Sequence, residues 1–198
     1  MNEFLDVMKK RRSQYSLNKE IQCDEDTIIE LVRNASLYAP TAFNMQSARV
    51  MILFHDNHDR LWDITMDTLR KMIPAEAFGP TKEKIESFKA AYGTILFFDD
   101  TNVTNAYAEK FVTYRDNFGN WAQQGNGILQ FSIWSMLSEL GLGASLQHYN
   151  PLIDEEVKKT FDVPEGWKLI AEMPFGNIVE GAQDKVFDPL DPRVVVKR

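Results

Sequence analysis

Apolar residues recur along this chain in two rhythms, one near the ~3.6-residue period of a helix and one of short continuous runs. Ile28, Leu31, Val32, Ala35 and Ala39 follow the first rhythm, which predicts a helix from Asp24, its N-cap, through Tyr38, stopped by Pro40. The same spacing predicts helices over Glu3–Arg12, Arg60–Met72, Thr81–Tyr92, Asn105–Tyr114 and Asp154–Phe161. A longer helix, about Asn120 to Leu140, buries Leu129, Ile133, Met136, Leu137 and Leu140 and ends at Gly141 and Gly143. Continuous runs predict strands at Arg49–Phe54, Thr94–Phe98, Ala144–Tyr149, Trp167–Pro174 and Arg193–Lys197. Helices separate most of the strands, so the chain is mixed α and β. The last run, "RVVVK", has no local partner, and the sheet it needs could belong to another subunit.

Length and charge narrow the picture. At 198 residues the chain is expected to be one domain, 1–198, with room for a sizeable core. Asp and Glu outnumber Lys and Arg 29 to 22, a net charge of −7, which argues against nucleic acid as a partner. No apolar run reaches the roughly 20 residues of a spanning helix, and no signal-peptide core follows the N-terminal charges. A lone cysteine, Cys23, permits no internal disulfide and fits a cytoplasmic location. Acidic neighbours make Cys23 a poor nucleophile.

Familiar catalytic signatures are absent: there is no G-x-S-x-G, no Walker loop and no complete dinucleotide fingerprint. "HDNHD", His55 to Asp59, could place two histidines on one helix face for a metal, or could be a solvated turn after a strand. We assign no metal site. Gly125 and Gly127 weaken the long helix by about 1 kcal/mol each. They permit either close helix packing or close approach to a flat ligand or partner helix.

The acidic chain nonetheless collects cations in "KKRRSQYSL", Lys9 to Leu17. Such a run can stabilise a helix C-terminus. It can also receive a phosphate, through paired guanidinium hydrogen bonds and a serine hydroxyl. In an extended segment Arg11 and Ser13 point to one side and Arg12 to the other. A second stretch, "APTAFNMQSARV", puts Thr41, Asn44 and Gln46 just before a strand. Side-chain amides donate and accept at once, which suits a ring edge carrying both kinds of group. Aromatics make up 12% of the chain.

The N-terminal R-R-S, the P-T-x-x-N-x-Q block, "GTILFFDD" and "LGLGASLQHYNPLIDE", in this order, resemble the flavin-dependent nitroreductase family. The similarity is greatest to the subgroup containing the copper-induced nitroreductase of lactic bacteria and the yeast fatty-acid-repression-mutant proteins. The resemblance implies an α+β fold, a central mostly antiparallel sheet flanked by helices, and a C-terminal strand extending across a homodimer. It implies FMN at the subunit interface, with Arg11 and Ser13 at the phosphate and Arg12 beside them among the cofactor-binding residues. Thr41 and Asn44 would reach the phosphate or ribityl chain from the partner, and Gln46 the pyrimidine edge. Backbone N–H groups of Gln147, His148 and Tyr149 would meet the flavin ring. Lys185 or Arg193 would join the phosphate, and Tyr15 stands where many members have a second cation.

The activity so implied is reduction of a nitroaromatic or quinone-type acceptor by NAD(P)H, a transient electron donor, in two hydride transfers through the flavin. No side chain is then required as a catalytic acid or base. The alternative class is an FMN-binding regulator or stress-response protein with little turnover, which needs the same contacts.

Overall fold

The computed structural model describes residues 3–191 and 193–198. These form seven helices, α1 (Glu3–Lys10), α2 (Glu25–Tyr38), α3 (His55–Arg70), α4 (Gly79–Lys89), α5 (Thr101–Lys110), α6 (Phe118–Glu139) and α7 (Asp154–Thr160). They form five strands, β1 (Ser16–Asn18), β2 (Ala48–Phe54), β3 (Gly93–Asp100), β4 (Leu142–Ala144) and β5 (Trp167–Glu180). Every strand pairing is antiparallel, and β5 is the hub. Its residues 167–175 pair with β3, 175–177 with β4 and 177–180 with β1, while β2 pairs β3 on the far side.

Helices cover both faces of the sheet. Ile28, Leu31 and Val32 of α2 and Leu129, Ile133 and Leu137 of α6 pack with Ile95, Phe97 and Phe175. Leu61 and Trp62 of α3, Ile85 and Phe88 of α4 and Val157 of α7 pack with Leu53, Leu96 and Phe98. This explains the continuous run in β3: seven of its eight residues are buried, so neither face needs polar side chains. A buried polar chain ties α6 to β3, with Asn126 Nδ2 donating to the Phe98 carbonyl and Gln130 Nε2 to Asn126 Oδ1.

Several expected boundaries shift for physical reasons. Asp24 caps α2 as expected, its carboxylate accepting the Thr27 N–H at 2.8 Å. Helix α3 starts at His55, not Arg60, because His58 takes a core position in the stripe continued by Leu61, Trp62, Thr65 and Leu69. Strand β5 runs on past Pro174 to Glu180, and the Pro174 carbonyl still accepts the Ser145 N–H. The strand expected over Ala144–Tyr149 stops at Ala144; beyond it regular pairing ends, and Gln147 makes an isolated bridge to Glu172. Residues 193–198 form no strand within the single chain, and Val194, Val195 and Val196 are exposed.

Candidate functional site

Where α1 ends, the cations separate by role. Lys10 pairs with Glu139 at 3.0 Å and Lys9 lies 3.7 Å from Asp6. Arg11 instead lays its guanidinium over Trp134, 4.3 Å from the ring centroid, while Trp134 Nε1 donates to the Ala144 carbonyl. The next residues are extended: Ser13 bridges Ala144, and the Gln14 N–H donates to the same carbonyl at 2.9 Å. Arg12, expected to face away, reaches the Gln183 carbonyl with Nη2. Arg11, Arg12, Ser13, Tyr15, Gln183 and Lys185 thus line one cleft of about 370 Å³.

No carboxylate lines that cleft. Arg11 Nε is buried without a hydrogen-bond partner, and burial, with Arg12 second, lowers the Arg11 pKa. Three cations and a hydroxyl with no acid among them are chemically matched to a dianion. Of the two expected C-terminal cations, Lys185 lines the cleft and Arg193 does not. Tyr15 lies at its edge, 54% exposed.

In the Thr41–Gln46 turn, Thr41 and Gln46 line a second, separate cavity of about 170 Å³ in the protomer, with Arg49 and Gly125, while Asn44 lies outside its lining. Phe43, Asn44 and Gln46 have φ of 56°, 52° and 53°, a left-handed conformation that L residues adopt only when surroundings hold them there. The bracing is visible. Thr41 Oγ1 accepts the Gln46 N–H at 3.0 Å, Gln46 Nε2 donates to the Asn44 carbonyl, and Arg49 Nη1 donates to the Gln46 carbonyl at 2.8 Å. Arg49 Nη2 also pairs with Asp100 at 3.0 Å.

Gly125 of α6 lets this turn approach, since a Cβ there would stand 3.2 Å from Thr41 Cγ2. Gly127 has no such neighbour and faces outward. The first glycine therefore serves close packing within the protomer, and nothing in the protomer explains the second.

Beside the turn, Phe43 is half-exposed and stacks into an aromatic cluster with Phe111 at 4.7 Å, Phe118 at 5.5 Å and Trp121 at 5.7 Å. No sequence motif singled out this aromatic group, and the spacing of Phe111, Tyr114, Phe118 and Trp121 carried its signal.

The third region is the turn after β4. Gln147 is buried, and its N–H and carbonyl are both taken by the backbone of Glu172, at 2.7 and 3.0 Å. The Tyr149 N–H donates to Glu172 Oε2 at 2.9 Å. The expectation that all three N–H groups of residues 147–149 face a ligand is therefore corrected: sheet pairing and a buried carboxyl occupy two, and the exposed His148 retains the third. The Tyr149 ring packs edge-on against Trp62, and burial, with Glu172 second, pushes its phenol up to about 12.

His55 and His58 do not converge on a metal. His55 is exposed and 2.7 Å from Glu25, whereas His58 is fully buried between Thr94 Oγ1 and the Lys89 carbonyl. Trp62 Nε1 donates to Thr94 Oγ1, so the Thr94 proton goes to His58 Nδ1, and His58 Nε2–H donates to Lys89. Burial holds its pKa down near 4, a neutral core histidine. Among the described residues no group of three or more His, Cys, Asp or Glu could hold a metal. Nor is any helix among them long and apolar enough to cross a membrane. Cys23 is a half-buried free thiol whose pKa burial raises.

The chain as a whole is similar to known proteins. The sequence model of the nitroreductase family matches residues 8–177. Nitroreductase FRM2 of Saccharomyces cerevisiae is 32% identical over 187 residues, covering 93% of this chain and 92% of its own. A solved structure of nitroreductase CinD from Lactococcus lactis in complex with nicotinic acid is 44% identical, with a TM-score of 0.91 over 98% of this chain and 100% of that one. The same enzyme in complex with 4-nitrophenol superposes with a TM-score of 0.90 at 42% identity, with the same coverage.

Proposed function

Because this chain belongs to the nitroreductase family and is an oxidoreductase of that type, we propose that it is one FMN-binding domain, active as a homodimer, that passes electrons from NAD(P)H to nitroaromatic or quinone-type acceptors. The observation that carries this reading is the cationic cleft, in which Arg11, Arg12, Lys185 and Ser13 converge with no acid and Arg11 Nε lacks a partner. A phosphate monoester fits that donor set, and FMN has one where riboflavin has none.

When bound, FMN supplies the hydride chemistry; the protein supplies position and polarity. Arg11, fixed over Trp134, and Ser13, fixed by the Ala144 bridge, hold the phosphate without reorganising. His148 offers its N–H toward the ring from a turn that the sheet anchors. Thr41, Asn44 and Gln46 complete the site from the partner subunit, which accounts for the separate cavity at Thr41 and Gln46 and the braced backbone of the turn. Phe43 and its aromatic neighbours give a flat acceptor a surface to stack on. The solved complexes of the Lactococcus lactis enzyme hold flat rings of this kind, nicotinic acid and 4-nitrophenol.

Support for the dimer comes from complementary surfaces. A groove of about 990 Å³ between α1, α2 and α6 is lined by Val7, Leu31, Ile128, Phe131 and Met136 and rimmed by Asp24, Asp26, Glu30 and Glu139. The last six residues, 193–198, offer the complementary character, exposed Val194, Val195 and Val196 with Arg193, Lys197 and Arg198. The purified protein is expected to be yellow, to retain FMN over riboflavin, and to oxidise NAD(P)H faster when a nitroaromatic is added. A colourless protein that binds neither flavin overturns the reading.

A further inference from the structure

One buried acid has so far been met only as the partner of the turn after β4. Glu172 lies in the middle of β5, opposite Leu96 of β3, with 0% of its surface exposed. A side chain of this kind in a strand core needs a reason, because an isolated buried carboxylate is among the costliest groups to place there. Its surroundings supply one donor only, the Tyr149 N–H at Oε2, while Oε1 is buried with no partner.

The groups that face it offer no cation. Asp154, at the start of α7, adds a negative charge and has its own Oδ1 buried without a partner. Lys168 of β5 and Glu155 of α7 act on Asp154 rather than on Glu172. The Tyr149 phenol is neutral, β3 presents Leu96, and His58 of α3 has both ring nitrogens engaged elsewhere. One donor, one nearby acid and no cation make a neutral carboxylic acid the stable form.

Residues 147–149 are held to β5 at this one residue. The Glu172 N–H and carbonyl bond Gln147, and its side chain bonds the Tyr149 N–H. Between these two anchors lies His148, whose N–H is the one left for a ligand. We infer that Glu172 is the positioning residue of the His148 turn, docking it on the sheet as a neutral acid, and that loss of its proton releases the turn. Ionisation demands water or a counter-charge at Oε1, and neither reaches it while the turn is closed. Burial, the largest influence, pushes the Glu172 pKa from the ordinary carboxylate range up to about 8, so the closed turn is favoured most at low pH and loses that advantage progressively as pH rises through about 8.

This rests on the proposed flavin site only for its consequence. The ring end of the ligand meets the turn and the phosphate end does not, so affinity for FMN and for riboflavin should weaken by the same factor as pH rises through about 8. The test has two parts. In flavin-free protein, hydrogen exchange of residues 146–152 is followed from pH 6.5 to 9.5, corrected for intrinsic base catalysis, in wild type and Glu172→Gln. Glutamine keeps an acceptor for Tyr149 and cannot ionise. Wild type should lose at least tenfold protection across pH 8, and Glu172→Gln should show no break.

Flavin fluorescence titrations over the same range should show a three- to tenfold loss of FMN and riboflavin affinity in wild type, absent in the variant. A role in stability alone gives no break in affinity that glutamine removes. Should Glu172→Gln not fold, carboxyl carbon NMR of wild type labelled at glutamate reads the proton directly, with a midpoint expected near 8. A Glu172 midpoint below 6, or the same exchange break in wild type and variant, overturns the inference. Failure of both flavins to bind overturns the flavin site instead, and leaves the exchange and NMR results to decide the role of Glu172.

Discussion

Arg11 and Arg49 stand at two different cavities of this protomer and are used in opposite ways. Arg49 is spent internally, with two bonds to the backbone around Gln46 and an ion pair with Asp100. Arg11 makes no ion pair, has an unpartnered buried nitrogen, and is immobilised by Trp134 rather than by an acid. The contrast separates two ways of building a binding surface. One cavity has its shape fixed by charge already neutralised; the other keeps its charge in reserve and fixes only its direction.

The largest expected effect tests the reserve. Arg11→Ala should weaken FMN binding about tenfold to a hundredfold, since a charged phosphate contact contributes roughly 1.5–3 kcal/mol. Riboflavin binding should hardly change. Equal loss for both flavins, measured by fluorescence quenching, would show that Arg11 does not meet the phosphate. Arg49→Ala should do the reverse. It leaves Asp100 and the Gln46 carbonyl without a partner, at about 1–3 kcal/mol of stability, read by urea denaturation. Its effect on FMN should come through the disordered turn and fall on both flavins alike.

Truncation after Asp184 removes Lys185 and the exposed apolar tail together. Sedimentation should show a weaker dimer, and flavin should be lost on dilution. Added FMN should restore association in the full chain, because a ligand shared between subunits stabilises the pair by mass action. A truncated monomer that keeps FMN at full affinity refutes the shared site.

The two glycines of α6 sharpen the same contrast. Gly125→Ala presses on Thr41, so it should disturb the turn. Gly127→Ala meets nothing in the protomer and should add up to about 1 kcal/mol of helix stability. If Gly127→Ala instead weakens the dimer, a partner helix passes there.

The smallest effect concerns Tyr15. A cation in its place would favour the anionic reduced flavin, so Tyr15→Lys is expected to raise the two-electron potential of bound FMN by tens of millivolts, at about 30 mV per 1.4 kcal/mol. A redox titration against a reference dye checks it, and an unchanged potential places Tyr15 by the phosphate rather than the ring.

What the sequence made legible follows from the same physics. That Arg11 shares a cleft with Ser13, and Thr41 a cavity with Gln46, was legible because each pair lies within a few residues of one short segment. Helix α2 was legible in full, cap included, because its signals are local. The burial of Glu172 was not, since a lone acid within the strand run "LIAEMPF" carries no local sign of which face it takes, and only the bridge from Gln147 shows that it is covered. His58 was misjudged for a similar reason: a histidine counts as polar until Thr94, 36 positions along the chain, is seen to satisfy it. The early end of β4 and the lone tail depend on long-range pairing, which periodicity does not report.

Strand β5 also acts as a ruler. Gln147 is pinned opposite Glu172, while Ser13 is pinned through Ala144 to Phe175. Three residues of extended chain separate the two marks, on the order of 10 Å at the usual strand rise. That interval lies between the cation cleft and the His148 turn, and no loop can stretch it. A single residue inserted or deleted there would change the interval by about 3 Å and turn Glu172 to the opposite face. Loops around the site are free to vary in length from one relative to another; this short piece of β5 is where the molecule can least tolerate a change of count.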